Sequence, residues 1–383
     1  MRDKIGEEVV MKVLLTATVQ SHICQFHKPL VEVLHSHGYE VHVAARNNLA
    51  EKNGLKLDFV DKVYDVPFAR SPKSKDNLRA YKELKKIIEK EHYDIIHCNT
   101  PMGGVVTRLA ATKARKNETK VYYTAHGFHF YKGAPKKNWL MYYPVEKIFA
   151  KYYTDKLITI ANSDKEMALN HNFGTQVFRI HSVGINNDKY FVRTDEQIQA
   201  KREEEGYLQD EFICICTGEL NENKNQKRLI EMLPKILVHI PNFKLLLAGN
   251  GPERENLINL AKELNVEKYI RFLGYRIDLE NYVAIADVAI SVSIREGLGI
   301  NLIEAMACGK PVIGSDNRGH REFIRNGENG FIVKSDTEIV KYITTLFQNK
   351  KLRLKLGKAA EETAKLYSAH CVMKELEKIY FSE

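Results

Sequence analysis

Apolar residues in this chain gather into short runs of strand length, and between the runs they recur every three or four positions. Strands are predicted at Val13–Val19, Glu40–Ala45, Tyr93–Cys98, Val121–Ala125 and Leu157–Ala161. Helical stretches separate them; in Tyr81–Glu91 the residues Tyr81, Leu84, Ile87 and Ile88 define one apolar face. Strand alternating with helix calls for a parallel sheet covered by helices on both faces. The alternation then restarts, with strands predicted at Phe212–Thr217, Phe243–Ala248, Ile270–Leu273, Val288–Val292 and Pro311–Gly314. Between the two series, Gly184–Glu211 is polar and charged, as a link between folding units is. Towards the end, Leu356, Ala360, Ala364, Tyr367, Cys371, Leu376 and Ile379 keep a helical period and predict a long helix. No internal repeat is visible.

A chain of 383 residues is long enough for two domains, each burying its own core. The expected architecture is α/β: two Rossmann-like, doubly wound parallel-sheet domains at 1–190 and 191–364, with a C-terminal helix of about 365–383 able to pack back on the first. Open parallel sheets bind ligands at the carboxyl ends of their strands, so a cleft between the domains is the expected site. Composition narrows the function classes. With 44% hydrophobic and 28% charged residues the chain is of ordinary globular type, and no segment approaches the roughly 18 uninterrupted apolar residues of a membrane span. The first ten residues, MRDKIGEEVV, have no apolar core or cleavage site of a secretory signal, and the folded chain is expected to begin near Met11. Cysteines at 24, 98, 214, 216, 308 and 371 form no CxxC pair, which favours buried thiols in a reducing cytoplasm over disulfides or zinc ligands. A net charge of +9 calls for an anionic partner: nucleotide phosphates, an acidic lipid surface or nucleic acid. The basic residues are spread along the chain with no nucleic-acid reading motif, so nucleic acid is not expected.

The chemistry concentrates in Ser293–Gly309, SIREGLGINLIEAMACG. Gly297 and Gly299 stand between a strand and a helix beginning near Ile300, and Gly309 suits its C-terminal cap. Such a glycine-rich entry lets backbone N–H groups approach a phosphate, whose charge the helix dipole favours. Glu296 at the loop rim and Glu304 two turns on can each accept hydrogen bonds from sugar or ribose hydroxyls. Three further segments follow strands of the same half: TGELNENKNQ, with Gly218, Asn223 and Lys224 as a counter-charge; LAGNGPER, with Gly249 and Gly251 in a turn; and SDNRGHREF, with Arg318, His320 and Arg321.

The run EGLGINLIEAMACGKPVIGSDNRGHREFIRNGENGFIV, with LAGNGPER, FLGYRIDL and GELNENKNQ, resembles family 4 retaining glycosyltransferases of the GT-B fold, over nearly the whole chain from Met11. The N-terminal half, notably YDIIHCNTPMGGVVTRLAA and YYTAHGFHFYKGAPKKNWLMYYPVEK, is similar to the EpsD-like branch that builds bacterial exopolysaccharide or capsule. The resemblance implies an acceptor-binding first domain and a nucleotide-sugar-binding second one. It implies that Glu296 holds hydroxyls of the donor sugar and Glu304 the ribose, while Gly297, Leu298 and Gly299 supply backbone donors and Lys224 neutralises the diphosphate. Leu273 and Gly274 match the grip on the base edge, and His126 the histidine facing the donor sugar; with Glu296 and Lys224 it makes the expected catalytic set. Gln20, Ser21 and His22 match the first strand-to-helix loop, where acceptor and donor phosphate meet. Where the family has arginine five positions before the lysine this chain has Glu219, so Arg228, Arg295 and Arg318 are candidates for the second diphosphate cation. The first loop, in TATVQSHI, also lacks the family's glycines.

The expected reaction moves a sugar, an N-acetylhexosamine, from a UDP-sugar to a polyprenyl diphosphate-linked glycan. No cofactor is expected and no metal is demanded, because no Asp-x-Asp run or ligand-spaced His and Asp cluster stands out. From Lys120 to Asp155, six lysines face two acids and interleave with Trp139, Leu140, Tyr142, Tyr143, Ile148, Phe149, Tyr152 and Tyr153. This stretch is expected to dock on an anionic bilayer, placing the protein at the inner face of the cell membrane. The alternatives are a UDP-sugar 2-epimerase of the same fold and a catalytically silent sugar-nucleotide binder.

Overall fold

The structure is a computed structural model that describes residues 10–52 and 54–382. The reading of the extreme N-terminus as no secretory signal falls, apart from Val10, outside the described residues. The chain divides into two compact units: one formed by the residues up to Val183 and again from Val372, the other by Gly184–Cys371. The sequence had set these junctions at 190/191 and 364/365.

In the first unit, seven strands form one parallel sheet: β1 (Lys12–Val19), β2 (Glu40–Arg46), β3 (Lys62–Asp65), β4 (Ile95–Asn99), β5 (Lys120–Ala125), β6 (Lys156–Thr159) and β7 (Gln176–Arg179). Their order is β3-β2-β1-β4-β5-β6-β7, which reverses direction between β1 and β4. In the second unit, β8 (Phe212–Thr217), β9 (Phe243–Ala248), β10 (Ile270–Gly274), β11 (Val288–Ser291), β12 (Val312–Ser315) and β13 (Gly330–Val333) run in the order β10-β9-β8-β11-β12-β13. There the reversal lies between β8 and β11. Both sheets are thus doubly wound, the topology in which ligands bind at the switch point outside the strands' carboxyl ends. The central strands are almost wholly buried, as β8 is along all six residues, because helices cover both faces.

Three strands escaped the sequence pattern: β3, β7 and β13. All are four-residue sheet edges, and β3 (KVYD) and β7 (QVFR) expose the polar residues that hide an apolar run. The polar segment read as a link belongs to the second unit. Its helix, Asp195–Glu204, opens with a Thr194/Gln197 capping box, and Arg202 bonds the Ile285 carbonyl and Asp287. The long C-terminal helix is two, Lys350–Ala364 and Ala369–Phe381, broken where Ile185 takes hydrogen bonds on either side of Ser368. The second of these helices joins the first sheet: Tyr380 bonds His97, Lys156 bonds the Ile379 carbonyl, and Glu375 holds His181 at 2.6 Å. All six cysteines are free thiols.

Candidate active site

In the second unit the chemistry-bearing residues lie on loops at the carboxyl ends of β8, β9, β10, β11 and β12. The loop after β11 leads into the helix Ile300–Ala307, whose N-cap Gly299 is left-handed (φ 98°) and whose last turn closes through the Gly309 N–H on the Met306 carbonyl. No side chain caps the entry, and among the described residues the N–H groups of Gly297, Leu298 and Gly299 have no hydrogen-bond acceptor. Leu298 is buried and pins this loop. A row of unfilled backbone donors at a helix N-terminus is an anion seat.

Two elements place a cation and a carboxylate beside it. Asn223, after β8, accepts from the Ile294 N–H and donates to the Arg295 carbonyl, and Asn301 donates to the Thr217 carbonyl. These bonds tie the two loops together so that Lys224 Nζ meets Glu296 Oε1 at 2.6 Å, with both side chains largely buried. The glycine turn after β9 exists because two backbones approach closely there. A Cβ on Gly249 (φ 146°) would lie 1.9 Å from the Gly218 carbonyl oxygen, and one on Gly251 2.2 Å from that of Leu220. These glycines let the β8 and β9 loops press together, and Gly249 donates to the Gly274 carbonyl at the end of β10, beside Leu273.

Glu304, on the same helix, is half-buried, and desolvation, reinforced by the charge of Glu280, pushes its carboxyl up to about 8. Burial and Glu304 together hold the Tyr190 phenol high. Of the candidates for a second cation, Arg228 is taken by Asp336 at 2.6 Å. Arg295 makes no side-chain hydrogen bond or ion pair among the described residues, while Arg318 lies in the loop after β12. Glu219 is exposed. His320 is fully buried: its Nδ1 bonds the Ser315 carbonyl at 2.8 Å, its Nε2 has no partner among the described residues, and the ring abuts Gly299.

In the first unit, Gln20 and Ser21 do not form a loop, since β1 passes directly into the helix Gln20–Phe26. Both are buried: Gln20 bonds the Ala45 carbonyl and Ser21 bonds Asn48, so their side chains hold the segment in place. The lack of glycine in TATVQSHI follows from this helix start. His22 is half-buried, and its Nε2 lies 3.3 Å from that of His126, which follows β5 and also contacts Asn99 Oδ1 at 3.2 Å. Burial holds His126 down at about 4 and His22 well below its ordinary value, so both are neutral at pH 7. His27, which the sequence reading passed over, completes a group whose ring nitrogens lie within 4.8 Å of one another. The H-x4-H spacing was its signal, but only the fold brings it to His126.

The sequence comparisons agree with this architecture. Residues 12–162 match the family model "Glycosyl transferase 4-like" and residues 197–363 match "Glycosyl transferases group 1". The chain is 43% identical over 372 residues to the putative glycosyltransferase EpsD of Bacillus subtilis, covering 96% of each chain. It is 27% identical to an Escherichia coli UDP-Gal:alpha-D-GlcNAc-diphosphoundecaprenol alpha-1,3-galactosyltransferase, covering 75% of this chain and 76% of the other. Anabaena HepE in complex with UDP and glucose superposes with a TM-score of 0.80 at 21% identity, over 97% of this chain and 100% of that one. With its two doubly wound sheets and this similarity along its length, the chain belongs to the family 4 glycosyltransferases of the GT-B fold.

Proposed function

We propose that this glycosyltransferase is a retaining enzyme that transfers a sugar, an N-acetylhexosamine, from a UDP-sugar to a polyprenyl diphosphate-linked glycan in exopolysaccharide or capsule biosynthesis. The observation that carries the reading is the set of unfilled N–H groups at Gly297, Leu298 and Gly299 with the Lys224–Glu296 pair beside them. A diphosphate seated there takes the lysine's charge, and Glu296, released from the lysine, accepts hydroxyls of the donor sugar. As the sugar–phosphate bond breaks, negative charge grows on the leaving UDP, so Lys224 and the helix N-terminus act more strongly in the transition state than in the ground state. Arg295 is the second cation, and the Gly274 turn with Leu273 grips the base. The resemblance assigns His126, which burial keeps neutral, to the donor sugar and His22 to the acceptor. No metal is needed for charge neutralisation in this scheme. Lipid-linked acceptors are supported by the name of the E. coli relative, and a UDP donor by the ligands of the HepE structure.

The helix Lys136–Tyr153 supports work at a membrane surface. Trp139, Tyr142 and Tyr143 pack inward, but Leu140, Met141, Val145, Ile148 and Tyr152 are exposed, with Lys136, Lys137, Lys147 and Lys151 on the same helix. No helix of the described residues is long and apolar enough to cross a membrane. Peripheral docking is therefore the proposed mode.

Calorimetric titration of the purified protein with UDP, GDP, ADP and CMP, without added metal, tests the donor. Selective UDP binding is expected, and preference for another nucleotide overturns the UDP assignment. Transfer from UDP-sugars to a polyprenyl diphosphate-linked acceptor then separates a transferase from a 2-epimerase, which releases an epimerised UDP-sugar, and from a silent binder.

A further inference from the structure

Two adjoining cavities open at the amino ends of β5, β6 and β7, at the end of the sheet opposite to the one that carries His126. The larger has a volume of about 710 Å³ and the smaller about 340 Å³, and both are lined by Arg115, Lys120 and Asp155. The six residues of β5, at about 3.3 Å each, set Lys120 roughly 20 Å from the strand end that leads to His126. A space of the larger size takes a small organic molecule and not only a bare ion. Its charge is one-sided. Asp155 is held by the Arg115 guanidinium, with Nη2 at 2.8 Å, and also accepts from the Val121 N–H; Arg115 Nη1 donates to the Tyr152 carbonyl, so this pair cancels itself. Lys120, Lys151 and Lys156 line the larger cavity and Lys116 the smaller, and none of these lysines has a carboxylate partner among the described residues. Lys156 is fixed in place: its ammonium bonds the Ile379 carbonyl and lies 5.2 Å from the centre of the Tyr122 ring. Tyr122 and Lys156 are register partners with Gln176 next in the row, and Lys120, two residues before Tyr122, belongs to the same sheet face. Burial and the charge of Lys120 both pull the Lys156 ammonium below its ordinary value, as like charges do with no anion between them. The turn before β7 adds backbone donors. Asn172 and Gly174 are left-handed there (φ 47° and 68°), and the N–H groups of Gly174 and Thr175 have no acceptor among the described residues. Successive N–H groups in such turns make concavities that take anions.

We infer that these cavities form a further anion site, which binds a small organic phosphate, free or as the headgroup of a lipid, through Lys120, Lys151, Lys156 and the turn at Gly174 and Thr175. Several ammonium groups and backbone donors suit the multiply charged oxygens of a phosphate better than a single carboxylate. The phosphate neutralises lysines that have no acid beside them, and the rest of the molecule occupies the remaining volume. Binding is non-covalent and uses no residue of the diphosphate seat or of the histidine group, so the site stands apart from the function proposed above.

The test uses the full chain and two probes: glycerol 3-phosphate in solution, followed by calorimetry, and phosphatidylglycerol vesicles, followed by co-sedimentation against a phosphatidylcholine baseline. Lys120→Gln removes one cation, and Gln176→Glu brings a carboxylate to the register neighbour of Lys156. Both positions are exposed and neither is on the helix Lys136–Tyr153, so both variants are expected to keep the wild-type far-UV circular dichroism and melting temperature and the lysines of that helix. Saturable binding of one glycerol 3-phosphate per chain, weakened about fivefold or more by each variant, assigns a free phosphate. A comparable loss confined to the phosphatidylglycerol vesicles assigns a lipid headgroup. Lys82→Gln combined with Lys86→Gln, on the exposed side of the helix Asp76–Glu91 in the same unit, removes more charge and should change neither reading. Binding that survives Lys120→Gln and Gln176→Glu, binding that falls as far in the Lys82 and Lys86 control, or no binding of either probe overturns the site. The UDP titration reads the second unit, so its outcome and this one are independent.

Discussion

At the residue scale the site is built on short-range complementarity. The ammonium of Lys224 and the carboxylate of Glu296 neutralise each other at 2.6 Å, and in the proposed reaction an anion and a hydroxyl take their places. Lys224→Met is therefore expected to lower kcat by about two to three orders of magnitude, the range for removing one preorganised group aimed at developing charge. Glu296→Ala should nearly abolish transfer. Their melting temperatures should stay close to wild type, since the pair lies on loops at the carboxyl ends of the strands; steady-state kinetics alongside thermal melts checks both. Glu304 has a different signature. Its folded-state pKa, raised from 4.5 to about 8, means the native protein holds a proton that the unfolded chain releases. Stability from this group is full below about pH 4.5 and is lost as pH rises through 8. Relative to wild type, Glu304→Gln should gain stability steadily across that window, as read by denaturant midpoints at stepped pH. Glu296, Glu304 and Lys224 stand out in the sequence because their neighbours are contiguous in it. The internal roles of Gln20 and Ser21 were not, because their partners Ala45 and Asn48 lie a strand away.

At the scale of elements, burial sorts residues that the sequence lists together. The aromatic and lysine-rich stretch divides into an inward face, with Trp139 and Tyr143 against Phe130 and Phe173, and an outward face of Leu140, Met141, Val145, Ile148 and Tyr152. An exposed apolar face with lysines around it is suited to an anionic lipid surface, each lysine near it adding about 1 kcal/mol. Lys136, Lys137 and Lys147 changed together to glutamate should sharply reduce co-sedimentation with phosphatidylglycerol vesicles and leave binding to solution nucleotides unchanged; unaltered sedimentation would remove the docking assignment. Strand edges show the limit of pattern reading. β3 and β7 each have one sheet neighbour instead of two, so they need no continuous apolar run and leave little trace in sequence, whereas β13 is a short apolar run of four residues.

At the scale of the whole molecule, the chain leaves its first unit at Val183 and returns to it at Val372. Removing residues 372–383 strips Tyr380 from His97 and Glu375 from His181, and uncovers the side of the sheet on which Val372, Leu376 and Ile379 are buried. The truncated chain is expected to melt at lower temperature with its loss confined to the first unit. The fragment 184–371, which keeps its own core of Cys214, Leu245, Ile290 and Ile313, should fold and still bind nucleotide. Circular dichroism melts and a nucleotide titration of the fragment measure both.

By itself the sequence determined two α/β units, the positions of their central strands, and the glycine entry with its two glutamates, because each depends on residues close together in the chain: an apolar run, a helical period, a strand followed by Gly-x-Gly. Tertiary structure decided the rest. It paired Lys224 with Glu296 across 72 positions, brought His22 to His126 across 104, turned the polar segment after Gly184 into part of the second unit, and exposed one face of Lys136–Tyr153. Those outcomes rest on which strand lies beside which and on what each helix covers, and local composition carries neither.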